Sequence, residues 1–392
     1  MSPRSHAAPE PCDPMTAASI PAVTAPGVLT IDLAALRANY RLLIDKAAGA
    51  AVAGVVKADG YGLGAGRVAS ALWDEGCRTF FVAHLDEAMS LRAQLPPAAD
   101  IYVLNGLAPG SEAACRAGRI RPVLNSLDQI AAWRRTAGEA GIILPAALQI
   151  DTGMSRLGLS ASEVATLRQT PSLLEGIDAA LLMSHLACAD EPAHPANQAQ
   201  LRAFQLLADI LPQALRSLAN SAGVFLGPDY HFDLVRPGIA LYGGCPTSGG
   251  ANPMRPVVRL DARVVQLRQI PAGAGIGYGL AEVADHPMRL ATIAIGYADG
   301  WPRCIGEVGA AFYKGHRLPI TGRVSMDSII LGASDDAAAG LGAGEFVELI
   351  GSHQSLERVA ADAGTISYEI LTSLGRRFER RFVDGAETEF DR

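Results

Sequence analysis

An apolar run, Ala51-Val52-Ala53-Gly54-Val55-Val56, leads directly into a lysine, Lys57. Such a run reads as a strand buried on both faces, so the ammonium leaves the protein interior rather than a wet edge. A free lysine titrates near pH 10.4, and burial lowers that by up to roughly 3 to 5 units. A buried amine is a costly charge but a capable nucleophile, and Schiff-base formation removes the first and exploits the second. The glycines that follow, Gly60, Gly62, Gly64 and Gly66, suggest a dinucleotide loop. Their spacing argues against it: Gly62-Leu63-Gly64-Ala65-Gly66 is G-x-G-x-G, not G-x-G-x-x-G, and that fingerprint has no lysine at its head.

Other polar residues stand at or just past successive apolar runs: His84, Asn105, Asn125, Asp151, His185, Asn220 with Ser221, and Arg236. Any one of them is explained by the wetness of loops. With Lys57 they make eight in order, two of them histidines and two lysine or arginine, which suggests one shared rim.

The elements that must carry these side chains are short β-rich runs alternating with Ala/Leu-rich stretches at helical period. Candidate strands lie at 52–56, 79–83, 101–104, 122–124, 146–150, 178–184, 216–219 and 232–235. Eight is the number of a TIM barrel, which builds its sites at the C-terminal ends of its strands. Beyond Pro256 the pattern changes to longer alternating segments, Val257 to Ile270 and Leu290 to Tyr297 among them, with helical stretches only near 356–375. The expectation is α/β: a disordered tail over 1–26, an N-terminal TIM (β/α)8 barrel over 27–257, and a mostly β C-terminal domain over 258–392.

Composition narrows the function. With 33 Lys+Arg against 40 Asp+Glu, no basic stripe follows a phosphate backbone, and nucleic acid is not an expected partner. Six scattered cysteines suggest neither a disulfide framework nor a metal site, which fits a reducing cytoplasm. No apolar run reaches the roughly 20 residues of a membrane helix. The first 26 residues lack the apolar core of a secretory signal, and Met15 is a second candidate start.

The stretch Val55-Val56-Lys57-Ala58-Asp59-Gly60-Tyr61-Gly62-Leu63-Gly64-Ala65 closely resembles the cofactor-lysine motif of alanine racemases, pyridoxal enzymes of fold type III. The resemblance runs from about residue 28 over the rest of the chain. It implies that Lys57 holds pyridoxal 5'-phosphate as a Schiff base, and that the enzyme interconverts L- and D-alanine, supplying D-alanine for peptidoglycan or degrading it. A broader racemase acting on serine or basic amino acids stays open, because the small-pocket residues are not readable.

Residue by residue, Gln149-Ile150-Asp151-Thr152-Gly153-Met154-Ser155-Arg156 is similar to the family segment whose arginine, here Arg156, contacts the substrate carboxylate and the cofactor's phenolic oxygen. The stretch from Ser184 to Asp190 implies that His185 adjoins the cofactor ring and Asp190 the substrate entrance. Ala219-Asn220-Ser221-Ala222-Gly223 and the stretch from Val235 to Gly243 imply cofactor contacts by Asn220, by Ser221 and by the amides of Gly238 and Ile239. Tyr61 and Tyr368 add phenolic hydrogen bonds to the phosphate. Arg236 is implied as partner of the pyridine nitrogen. An arginine cannot accept a proton, so it keeps the nitrogen unprotonated, weakens the electron sink and favours prompt reprotonation at Cα.

Racemisation needs a base on each face of a planar carbanion. The resemblance assigns one face to Lys57 and the other to Tyr278 in Gly275-Ile276-Gly277-Tyr278-Gly279, aided by a chain through His185 to Arg236. Tyr297, Arg303 and Arg323 would line the entrance, and the Met326 amide would meet the substrate carboxylate. In the family these residues come from a second subunit, so a homodimer with shared sites is implied. One departure is Gln149, where many members carry a lysine reported as carbamylated. A carbamate cannot form on glutamine, so Gln149 is expected to orient Arg156 without adding charge, or an anion such as chloride to take that place. The competing class is a non-catalytic cofactor-binding protein, against which Tyr278 and the β domain argue.

Overall fold

A computed structural model describes residues 24–334 and 336–385. Eight strand positions run parallel: Ala51–Val52 continuing as Gly54–Val55, then Thr79–Val82, Asp100–Val103, Arg121–Leu124, Leu144–Gln149, Ile177–Met183, Leu215–Ser217 and Leu234–Val235. The last position pairs with the first, Leu234 beside Ala51 and Val235 beside Val52. Backbone bonds from Asp233 N to Arg216 O (3.0 Å) and from Arg236 N to Ala219 O (2.9 Å) bridge the remaining gap. The ring therefore closes, as the sequence pattern predicts, and each expected run falls within two or three residues of an observed strand. These strands are apolar on both faces because both faces are covered: Phe80, Phe81 and Val82 are fully buried.

The helices between the strands are stopped and started by ordinary local chemistry. Asp32 Oδ1 accepts from Ala35 N (2.9 Å) to cap the helix Leu33–Lys46. Ser160 and Glu163 form a reciprocal capping box ahead of Ala161–Gln169.

The second domain is built on the long strand Val258–Ile270, with Met288–Ile293, Ile329–Gly332, Phe346–Ile350 and the hairpin Ala310–Tyr313 with His316–Pro319. Two helices, Leu356–Asp362 and Ser367–Ser373, fall in the stretch read as helical. One strand departs from the expected division. Gly27–Asp32, assigned by its position in sequence to the barrel, pairs antiparallel with Val258–Ile270 and parallel with Glu379–Val383. Its Val28, Leu29 and Ile31 are buried in that sheet, and a run of this kind carries no mark of which sheet it joins. The expected tail is also shorter at its end, because Arg263 donates from Nε to Ala25 O (3.0 Å) and from its backbone N to Pro26 O (2.9 Å). Residues 1–23, which hold Met15 and most of that tail, lie outside the described residues. No described helix is long and apolar enough to cross a membrane.

Candidate active site

The first barrel strand ends in an unusual turn. Ala58, Asp59, Gly60, Tyr61 and Gly62 all take positive φ, at 53°, 54°, 62°, 56° and 80°. This is one left-handed turn, closed by Gly60 N to Val56 O (2.8 Å) and Gly62 N to Ala58 O (2.7 Å). Left-handed backbone costs an L-residue about 1 to 2 kcal/mol, so surrounding contacts must hold it. Glu87 supplies some of them: its carboxylate accepts Ala58 N at 2.6 Å, Ala83 N at 2.7 Å and His84 N at 3.0 Å. Asp59 Oδ1 accepts Ala65 N at 2.9 Å. The turn leaves Lys57 at the barrel mouth and swings Tyr61 inward, stacked on Tyr242 at 4.5 Å and 6.0 Å from the ring of Tyr368.

Charge converges on this mouth. Burial first, then the Arg156 guanidinium, lowers the proton affinity of Lys57, with Glu87 opposing. Burial and the cations Arg236, Arg156 and Lys57 push His185 down to about 3, so its imidazole is neutral at physiological pH. Arg236 is buried and donates to Ser217 Oγ, to Ser184 O at 2.5 Å and to Leu218 O at 3.5 Å. Among the described residues no carboxylate pairs with it. Burial brings its guanidinium down to about 9, which leaves it a cation.

Beside this cluster lies a cradle of backbone amides. Ser221 Oγ accepts from Gly238 N at 2.8 Å and from Ala240 N at 3.3 Å. Ser221, Ala222 and Ile239 are buried, yet among the described residues their own N–H groups meet no acceptor. Buried amides of this kind are rarely left open unless a ligand meets them. A phosphate fits three open donors beside a hydroxyl, and an uncompensated buried guanidinium fits a neutral ring nitrogen. The residues present therefore suit pyridoxal phosphate.

A cavity of about 710 Å³ opens above, lined by Arg156, His185, Asp190, Asn220, Tyr368 and neighbours. Burial and the Asp190 carboxylate push Tyr368 up to about 12, so its phenol stays a donor. Asn220 ties the loop locally, through Oδ1 to Gly223 N (2.9 Å) and Nδ2 to Leu186 O (3.3 Å). Arg156 is exposed and makes no hydrogen bond or ion pair among the described residues, which leaves its fork open to a ligand. Gln149 does not bond Arg156 as expected. It is buried and donates to Leu157 O (3.0 Å), because its short amide reaches only the backbone of the returning loop. That loop is set instead by Asp151, whose Oδ1 accepts from Gly153, Met154 and Ser155.

Three rim residues prove to be scaffold. His84 and Asn105 meet each other at 3.4 Å, and buried Asn125 donates to Leu104 O and Val123 O. Behind the rim lies a polar network that sequence reasoning missed. Gln200 donates to His185 O (2.9 Å) and Thr152 Oγ1 (3.2 Å), and Thr152 meets Ser184 Oγ at 2.7 Å.

Tyr278, Tyr297, Arg303, Arg323 and Met326 do not line this cavity in the single chain. They lie on the β domain, with Tyr278 72% and Met326 52% exposed. The Tyr297 turn and the Met326 loop are tied by Tyr297 N to Ser325 O and Ala298 N to Met326 O, both 3.0 Å. Arg377 clamps both segments, reaching Asp299 at 2.6 and 2.8 Å and Asp327 at 2.7 Å.

A closed barrel with a lysine, a neutral imidazole and two arginines above an amide cradle defines an enzyme that holds an anionic ligand at its strand ends. Comparison with known proteins specifies the class. Residues 31–246 match the alanine racemase N-terminal domain and residues 257–382 the C-terminal domain. A catabolic alanine racemase of Agrobacterium fabrum is 56% identical over 92% of each chain. An alanine racemase of Brucella canis is 52% identical over 92% of this chain and 94% of its own. A solved alanine racemase from Bartonella henselae with covalently bound pyridoxal phosphate superposes at TM-score 0.88 and 45% identity, covering 92% of this chain and all of that one. The chain belongs to the alanine racemase family.

Proposed function

We propose that this protein is a pyridoxal phosphate-dependent alanine racemase, a cytoplasmic homodimer that interconverts L- and D-alanine. The observation that carries the reading is the convergence of Lys57, His185, Arg156 and Arg236 over three open buried amides. When bound, pyridoxal phosphate supplies the electron sink that makes a substrate Cα proton removable.

The chain's own residues do the rest. The open amides of Ser221, Ala222 and Ile239, in a cradle that Gly238 N–H ties to Ser221 Oγ, would hold the phosphate with Tyr61 and Tyr368, and Asn220 shapes the loop beside it. Arg236, charged and unable to accept a proton, would face the ring nitrogen and leave it unprotonated, which limits how strongly the group withdraws electrons. Arg156 grips the substrate carboxylate as a fork. Lys57, whose amine burial and Arg156 bias toward the neutral form, takes or returns the Cα proton on one face. Tyr278 of a second copy serves the other face, next to a His185 that stays neutral and so both donates and accepts. The same copy brings the Met326 amide to the carboxylate, and Tyr297, Arg303 and Arg323 narrow the entrance with Asp190 of the first. An exposed Tyr278 among Leu280 and Val283, 65% and 58% exposed, supports a surface that a second copy covers.

Incubation of the purified protein with L-alanine, followed by chiral chromatography, tests the activity: D-alanine accumulates toward equimolarity, and its absence with cofactor present overturns the reading. Relative rates on serine, lysine and arginine measure how narrow the substrate range is.

A further inference from the structure

The left-handed turn after Lys57 is held from outside its own strand. Glu87, on the helix Leu85–Arg92 that follows the second barrel strand, sends one carboxylate oxygen to Ala58 N (2.6 Å) and the other to Ala83 N (2.7 Å) and His84 N (3.0 Å). One anion therefore joins the ends of two neighbouring strands and takes up three backbone donors. The Ala58 donor is the peptide N–H directly after Lys57, at the first of the left-handed residues. Without an acceptor there, the turn would lose one of its few external ties, and the lysine would move with it.

We propose that Glu87 is a positioning residue for Lys57: its carboxylate fixes the left-handed turn on which the lysine stands and so sets where the amine points. This rests on the proposed role of Lys57 as a base. The same negative charge favours the ammonium form of Lys57, against burial and Arg156, while His185, after the sixth barrel strand, is neutral. In Glu87→Gln the amide keeps one acceptor oxygen but sets an NH2 group against backbone N–H donors, and it removes the charge. In Glu87→Asp the charge stays but the side chain is one methylene too short to span both strand ends.

The test compares the wild-type holoenzyme with Glu87→Gln, Glu87→Asp and a control, Glu163→Gln, which breaks a remote capping box. Hydrogen exchange read by mass spectrometry follows the peptide over residues 56–63, and steady-state kinetics on alanine are taken across pH. Both Glu87 variants are expected to exchange that peptide about tenfold faster. Both should lose about 10- to 100-fold in kcat, with KM within about threefold, because the lysine is misplaced while the carboxylate grip is untouched. In Glu87→Gln alone, the acidic limb of kcat should move to lower pH, since the charge that favoured the ammonium is gone. The control should show neither effect. Wild-type exchange of the peptide, or wild-type kcat, in either variant overturns the proposal, and Glu87→Asp decides it alone should Glu87→Gln fail to fold. Faster exchange in the variants of a protein that racemises nothing supports the clamp while overturning the functional reading.

Discussion

Gly238 lies directly against Tyr61: a Cβ at position 238 would come within 2.1 Å of the phenolic oxygen and 2.9 Å of the ring carbon that bears it. The glycine is required by this approach, since its N–H also donates to Ser221 in the cradle. Gly238→Ala must push Tyr61 off its stack with Tyr242 or lift the amide away. Overpacking of this kind costs about 1 to 3 kcal/mol, which corresponds, if it falls on the bound form, to a roughly 5- to 150-fold weaker hold on the cofactor. Titration of the cofactor-free variant with pyridoxal phosphate, followed by the absorbance of the bound form, reads the change directly.

His185 gives the fold a defined response to acid. Its folded-state pKa is depressed to about 3, below the ordinary histidine value, so between those two values the unfolded chain binds a proton that the native chain does not. Stability therefore rises with pH across that window and falls on acidification below about 6.5, by at most about 1.4 kcal/mol per pH unit. His185→Gln should flatten the dependence of melting temperature on pH between roughly 6.5 and 5, within the same window. A variant that keeps the wild-type slope would assign it elsewhere.

Lys57 and Tyr278 are expected to meet only across two chains. Lys57→Ala and Tyr278→Phe are each expected to be inactive as pure proteins. Mixed under conditions that exchange subunits, they should regain about a quarter of wild-type activity, because half of the dimers are hybrids and each hybrid has one intact site. A mixture that stays inactive after exchange is shown by mass spectrometry would place both bases on one chain.

Arg377 holds two loops of the β domain through a fully buried carboxylate, that of Asp299. Among the described residues, Arg377→Met leaves that carboxylate with only the Gly296 N–H at 2.9 Å. The expected loss is about 2 to 3 kcal/mol in urea unfolding, less than for a wholly buried pair because Arg377 is half exposed. Slack in the Met326 loop should raise KM for alanine more than it lowers kcat.

Much of this molecule was legible in its residues because barrels advertise themselves. Strands buried on both faces are short apolar runs, and Lys57, His185, Ser221 and Arg236 mark their ends. What stayed hidden depends on register and reach. Glu87 looks like an ordinary third residue of a helix, and its capping box with His84 gives no sign that a free oxygen touches Ala58. Gln200 sits in a helix with no local mark of its contact to His185. Gln149 was expected to support Arg156, but which backbone carbonyl an amide meets is fixed by the path of the returning loop. Asn105 and Asn125 share the rim position of the site residues, but Asn125 turns its amide into the wall and exposed Asn105 meets His84. Gly27–Asp32 is an apolar strand like those of the barrel, and partner choice is written in the tertiary fold.

That last strand has a consequence for how the protein is made. Gly27–Asp32 lies between Val258–Ile270 and Glu379–Val383, so it emerges early in synthesis with both of its neighbours still unmade. Throughout translation of the barrel it is an open edge, the kind of surface that invites pairing with another chain. Only when the final strand leaves the ribosome is it covered on both sides. A nascent or truncated chain that stops after the barrel keeps that edge, and so is expected to aggregate where the full-length protein folds.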